Sequence, residues 1–330
     1  VETMSGLYKL LAGMFWILLL AGCQPGLPSG CPPDCLGAKL SRRELAGANL
    51  AGANLRSADL IQVNLSQANL SNVDLSGADL SFANLTSTDL RGANLTGANL
   101  TGANLSDTQL DNANLSGANL TSAMLIRVDL TQVKLRAAVL IQANLIGSDL
   151  RGADLRGINL SSADLRGANL SWAYLQGANL TASTPRGAGS NLRGVLAQGA
   201  VLTGASLNGS DLSGARLEGA VLAGISLEGM NLIGAVLTDA DLRNSNLSGA
   251  LLAGANLMGA NLTNTNLLGA DLHGASLEWS DLRGSQLVSS TSDSLPDTDL
   301  LGITYNDMTR WPEGFVPPAT ARIVVSQPLE

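Results

Sequence analysis
Few residues of this chain are of types that do chemistry. His273 is the only histidine, and it stands one place after a leucine with no sequence neighbour that would make it the base of a nucleophile. Carboxylates recur at twenty-residue intervals, Asp59 with Asp79 and Asp129 with Asp149, a spacing at which two acids could share a proton. Asparagine fills the equivalent places elsewhere, however, so interchangeable turn residues explain the pattern better than an acid/base pair. The three cysteines are Cys23, Cys31 and Cys35. A lone C-x₃-C lacks the further Cys or His ligands a metal site needs. Neither G-x-G-x-x-G nor G-x-S-x-G occurs. The expectation is a noncatalytic chain without cofactor, metal or small-molecule substrate.

The elements that carry these residues repeat every five positions. Leucine occupies each fifth place from Leu40 to Leu180, 29 in a row, and after an interruption the phase resumes as Leu192, Ala197 and then Leu202 to Leu287, 20 more rungs. Five residues advance an α-helix by about 1.4 turns, which would smear the leucines around its surface. In a continuous strand, residues five apart point to opposite faces. The period works if the backbone turns a corner in each pentad and delivers one leucine to a shared interior. A small residue, mostly alanine, stands two before each leucine, Asn or Asp directly before it, and Gly often two after it, as in Ala48-Asn49-Leu50 followed by Gly52. Alanine suits a second, tighter inward place, Asn and Asp hydrogen-bond turn backbone, and glycine admits positive φ.

With the consensus A-[ND]-L-x-G, residues 36–287 resemble the pentapeptide repeat family. The resemblance implies an all-β fold, a right-handed quadrilateral β-helix with four pentads per coil, leucine and the small residue inside and three positions outside. At a rise of about 4.8 Å per coil, the rungs make roughly 12 coils in two phases and a rod roughly 60 Å long. Charged residues are only 14%, against about 25% in ordinary domains, as Asn, Ser, Thr and Gly fill the outer places. The net charge of −8 opposes nonspecific nucleic-acid binding, so no nucleic-acid partner is expected.

The first residues differ. After Lys9, the stretch Leu10 to Ala21 carries no charge, a length too short to span a bilayer comfortably and suited to a signal-peptide core. Leu20-Ala21-Gly22-Cys23 resembles the lipobox of bacterial lipoproteins, which implies cleavage after residue 22, lipidation of Cys23, export, and a membrane anchor on the periplasmic side. Cys31 and Cys35 then form an even pair in an oxidising compartment and could close a small disulfide loop. Alternatively, Cys35 falls five before Leu40 and is a buried thiol capping the first coil. The expected organisation is a signal peptide over 1–22, a linker and cap over 23–35, solenoid over 36–180 and 191–287, a loop over 181–190, and a C-terminal cap or tail over 288–330. The tail "GITYNDMTRWPEGFVPPATAR" resembles one found on many cyanobacterial pentapeptide proteins, which would make the thylakoid lumen an alternative compartment.

Two departures from the repeat are candidates for function. The break "TASTPRGAGS" suits an outward loop, with Pro185 and Arg186 at its centre. In the coil 121–140, Met124, Lys134 and Val139 replace Asn or Asp, while Ile126 and Ile146, twenty residues apart, should stack on one face beside Met124 as an apolar patch for a protein partner. Arg136 and Arg156 should stack on another face, with Arg151 and Arg166 nearby. The leading expectation is a lipid-anchored, noncatalytic scaffold or protein-interaction rod. The alternative is a cytoplasmic DNA-mimicking gyrase binder, as in the resistance branch of the family, against which the lipobox and the mild acidity speak.

Overall fold
A computed structural model of the protein describes residues 31, 33–182, 189–288 and 297–324. One pentad shows how the sequence makes the fold. The amide of Leu95 donates to the carbonyl of Asn114 at 2.8 Å, Gly97 to Ser116 at 3.0 Å, and Asn99 to Ala78 at 2.9 Å, so the segment is tied to the coils above and below. A fourth bond closes the corner itself, from the Ala98 amide to the Leu95 carbonyl at 3.0 Å. The third residue of this turn has φ of 64° at Gly97, the left-handed conformation that a type II turn requires and glycine adopts without strain. Repeated around the coil, these corners give parallel bridges twenty residues apart, from Asp34↔Asn54 to Asn159↔Asn179. Four short sides per coil make a quadrilateral β-helix.

The interior holds one continuous core. Leucines such as Leu50, Leu100 and Leu247 have no exposed surface, and the small residues two places earlier, Ala48, Ala98 and Ser245, are buried with them. Hydroxyls in the small inward place are accommodated by carbonyls of the same or the preceding coil. Ser245 Oγ donates to Leu242 O at 2.6 Å, and Thr88 Oγ1 to Leu65 O at 2.9 Å. On the outside, the Asn or Asp accepts the amide two residues on, as Asn69 Oδ1 does from Ser71 at 3.1 Å, and often that residue's hydroxyl as well. The stacked carboxylates have this same work: Asp79 accepts the Ser81 amide at 3.0 Å and the Asn99 amide group at 3.0 Å. Where a larger residue replaces glycine at a corner, its side chain lies over the next coil. The rings of Phe82 and Trp172 cover Gly102 and Gly199, where a Cβ would strike them.

The interruption after Leu180 leaves the ladder intact. Bridges across it link residues 27 apart, Asp164↔Asn191 through Asn179↔Ser206, so seven residues are inserted at one corner and shift the pentad phase by two. Residues 183–188, with Pro185 and Arg186, lie outside the described residues. The expected outward loop over 181–190 is too wide at its far end. Gly189 and Ser190 are buried, and Ser190 Oγ donates to Leu160 O at 2.7 Å from the small inward place before Leu192.

The ladder also continues past residue 287, where the leucine period is lost. Asp299 bridges to Asp271, Thr304 to Ser276 and Arg310 to Asp281, which sets Leu300, Tyr305 and Trp311 in the leucine places of the last coil. Tyr305 meets Trp311 edge-on at 5.5 Å, and Trp311 stacks on Phe315 at 5.3 Å. The strand β1 (Thr304–Tyr305) pairs in parallel with β2 (Arg322–Ile323), laying one more segment on the end of the rod. Tyr305, Trp311, Phe315 and Ala321 are partly buried and pack against the end of the apolar column. At the opposite end, Cys31 and Cys35 are joined as a disulfide with Cα atoms 4.9 Å apart, and both are buried. Cys35 therefore takes the rung five before Leu40 as a bonded cysteine instead of a free thiol.

Candidate functional site
The surface of the rod is chemically occupied along most of its length by a local ion-pair motif. Wherever arginine follows Asp-Leu, it folds back on that aspartate: Arg91 on Asp89, Arg151 on Asp149, Arg156 on Asp154, Arg166 on Asp164, Arg243 on Asp241 and Arg283 on Asp281, each with an N–O distance of 2.6–2.7 Å. The hydrogen bond from its own arginine holds the carboxyl of Asp89, Asp154, Asp241 and Asp281 below the ordinary aspartate range. The arginines expected to stack thus include three, Arg151, Arg156 and Arg166, that are neutralised inside their own pentads. His273 is exposed and its backbone amide caps the Asp271 carboxylate at 2.9 Å. Among the described residues, no three His, Cys, Asp or Glu side chains are grouped to hold a metal ion, and no helix is long and apolar enough to cross a membrane.

The predicted patch is brought together in part. Met124 bridges Asn104 and Asn144 on one side of the rod and is exposed. Ile126 and Ile146 occupy equivalent corners of successive coils and are half-buried, tied by the bond from the Arg127 amide to the Ile146 carbonyl at 3.1 Å. The stack is therefore as much a support between corners as a free apolar surface. Cys23 lies outside the described residues.

A feature that the sequence reading passed over lies in the same coil. The bridge that joins nearly every coil to the next is not made between Gln109 and Asp129 or between Lys134 and Asp154, nor farther along between Ser206 and Ser226. At the second of these a cleft of about 430 Å³ opens, lined by Thr131, Gln132, Lys134, Arg136, Gly152 and Asp154 among others. The pentad Val133-Lys134-Leu135-Arg136-Ala137 departs from the repeat at every corner device. Lysine replaces the Asn or Asp that would cap the Arg136 amide. Ala137 sits at φ of 58° where glycine is unstrained, a conformation costing about 1–2 kcal/mol with a Cβ. Valine fills the small inward place directly after Val128 has done so. The neighbouring corner is opened too, since Ser148 Oγ donates to Leu125 O and accepts the Val128 amide at 3.4 Å in place of the usual turn bond. The sequence signal was available as the loss of all three consensus features in one pentad.

The Pentapeptide repeats family matches the chain in eight stretches, at residues 34–72, 78–117, 103–142, 113–152, 143–181, 188–224, 210–249 and 250–287. No curated protein matches it. Solved structures to which it is similar include HetL, a pentapeptide repeat protein involved in heterocyst differentiation regulation from the cyanobacterium Nostoc sp. strain PCC 7120, at 28% identity over 88% of this chain and 94% of that one, with a TM-score of 0.29. Rfr23 from the cyanobacterium Cyanothece 51142 is 27% identical over 46% of this chain and 90% of its own, with a TM-score of 0.25. QnrB1, a plasmid-mediated fluoroquinolone resistance protein, is 18% identical over 71% of this chain and 91% of its own, with a TM-score of 0.27. With the repeat matched from residue 34 to 287 and the four-sided coil that it builds, the chain belongs to the pentapeptide repeat family, the right-handed quadrilateral β-helices.

Proposed function
We propose that this protein is a noncatalytic interaction rod, held by lipid on Cys23 at the outer side of the cytoplasmic membrane, that presents its faces to a protein partner. The observation that supports the reading most is how the wall spends its polar groups. Asn and Asp side chains are engaged in turns, six arginines are engaged with the aspartate two places before them, and five more, Arg56, Arg127, Arg193, Arg216 and Arg310, lie within 4 Å of an acid elsewhere. Apolar groups are left for recognition, among them the exposed Met124 with the half-buried Ile126 and Ile146, and the inserted segment that includes Pro185 is the second candidate. The Cys31–Cys35 bond is of a kind that persists in oxidising compartments, in keeping with export.

Two experiments test the reading. Metabolic labelling with a clickable fatty acid is expected to mark the wild type and to leave Cys23→Ser unlabelled and released from the membrane fraction, since stable anchoring takes more than one acyl chain. Label retained in the variant, or absent from both, rejects the anchor. For the patch, Ile126→Ser with Ile146→Ser should lower stability by only about 1–2 kcal/mol, because both side chains are already partly in water. Pull-downs from the membrane fraction should then lose a partner that the wild type captures. Recovery of the same partners in equal amounts would remove the patch from the reading.

A further inference from the structure
The cleft at Lys134 exposes two facing backbone edges. On the lower coil, the amides of Gln132, Leu135 and Ala137 and the carbonyl of Val133 lack the bonds that their counterparts make elsewhere. On the upper coil, the amide and carbonyl of Asp154 and the carbonyls of Arg151 and Arg156 lack theirs. Each lip thus carries donors and acceptors together, spaced as in a parallel ladder. A simple anion would meet only half of them, whereas an extended peptide backbone offers both kinds of group in the same alternation.

Charge narrows the choice of side chains. Because residue 134 is lysine, Arg136 has no aspartate two places before it, and among the described residues neither Lys134 nor Arg136 makes an ion pair or side-chain hydrogen bond. The one carboxylate on the lining, Asp154, is held by Arg156 at 2.7 Å. Two cations without a close ion pair of their own, of which Arg136 acts on Asp154 only at longer range, therefore flank the opening of a protein whose net charge is −8. On the upper coil's other side, Tyr174 bridges Asp154 and is exposed, as is Trp172 at the adjoining corner, so the cleft continues into an aromatic surface. Among the described residues, the parted ladder at Ser206 and Ser226 has no such cations beside it.

We propose that the cleft between Lys134 and Asp154 binds an extended acidic segment of a partner protein, by main-chain pairing with the open ladder and by salt bridges to Lys134 and Arg136. The proposal gives the partner of the interaction rod a chemistry and rests on that reading. Its first test is amide exchange in the full chain. The Leu135 and Asp154 amides should exchange rapidly, in contrast to those of Leu115 and Leu145, and should become protected on addition of the capped peptide acetyl-Val-Glu-Val-Glu-Val-amide, with the Leu207 amide unchanged. Calorimetry should show saturable binding, weakened at least tenfold by backbone N-methylation of the peptide, by lysine in place of its glutamates, or by Lys134→Glu with Arg136→Glu. Lys134→Asn, which restores the turn acceptor, should slow exchange at Leu135 and weaken the peptide while leaving the fold intact. Slow exchange at Leu135 in the free wild type, equal binding of the N-methylated peptide, or equal protection by free glutamate or inorganic phosphate would each overturn the proposal. Equal capture of partners by wild type and the double variant would reject the cleft and leave the rod reading standing. Peptide binding without any captured partner would do the reverse.

Discussion
Leu100→Asp is expected to destabilise the rod by more than about 4 kcal/mol, while Thr101→Asp, one residue away, costs about 1 kcal/mol. Leu100 is fully buried in the leucine column, between the alanines Ala98 and Ala103 and below the coil of Leu120. No cation or water-facing group can reach a carboxylate placed there, so the acid must either unfold its coil or stay protonated. Thr101 is half-buried at the corner, where it gives up only the hydroxyl bond to Asn99 Oδ1 at 2.7 Å. A solenoid is held by contacts between neighbouring coils alone. Loss at one level therefore uncouples the two halves as well as weakening one site. The variant should melt earlier and in a broader or split transition, with new proteolytic cuts near residue 100. Equal melting losses in the two variants would contradict the inward placement of the leucines.

The same one-dimensional logic explains what the sequence made legible. An inward leucine, a small companion, a turn acceptor and a glycine are each dictated by local geometry that recurs at every corner, so reading one pentad reads 49. The two ends were harder. Tyr305 and Trp311 stand in leucine places, but only after residues that break the five-residue count and one extra residue, Asn306, between the rungs. Periodicity cannot find a rung whose residue type and spacing have both changed. Cys35 kept the spacing and was placed on the ladder from it, whereas its bond to Cys31 depended on a chain path that the spacing does not specify. The cleft was obscured for another reason. Lys134 stands out as a missing Asn or Asp, but the bonds left open are backbone bonds to the next coil, which no one residue type announces; Val133 and Ala137, and Val128 and Ser148 at the neighbouring corner, depart from the usual arrangement there as well.

The far end of the inserted corner gives the other large expected effect. By composition Gly189 belongs to a stretch of small residues that suits an outward loop. In the structure its backbone lies against the next coil, where its amide donates to Gly209 O at 3.0 Å, and a Cβ added to it would come within 2.6 Å of Gly209 C and Ser210 N. These are backbone atoms and cannot swing aside as a side-chain tip could. They are also held in place, since Ser210 Oγ donates to Leu180 O at 2.8 Å and Leu180 O accepts the Ser190 amide at 2.8 Å. Gly189→Ala must therefore push two coils apart, at a cost of about 3 kcal/mol, in the upper range for inserting a methyl group into a packed interior. Gly194→Ala is the control. Gly194 has φ of 61° and open space around its missing Cβ, so alanine there meets only the left-handed backbone penalty of about 1–2 kcal/mol. Denaturant unfolding should rank Gly189→Ala clearly below Gly194→Ala, with faster amide exchange at Ser190 and Ser210 in the first variant alone. A loss at Gly189 equal to or smaller than that at Gly194 would mean that the corner yields, and that the insertion is as loose at this end as its composition suggests.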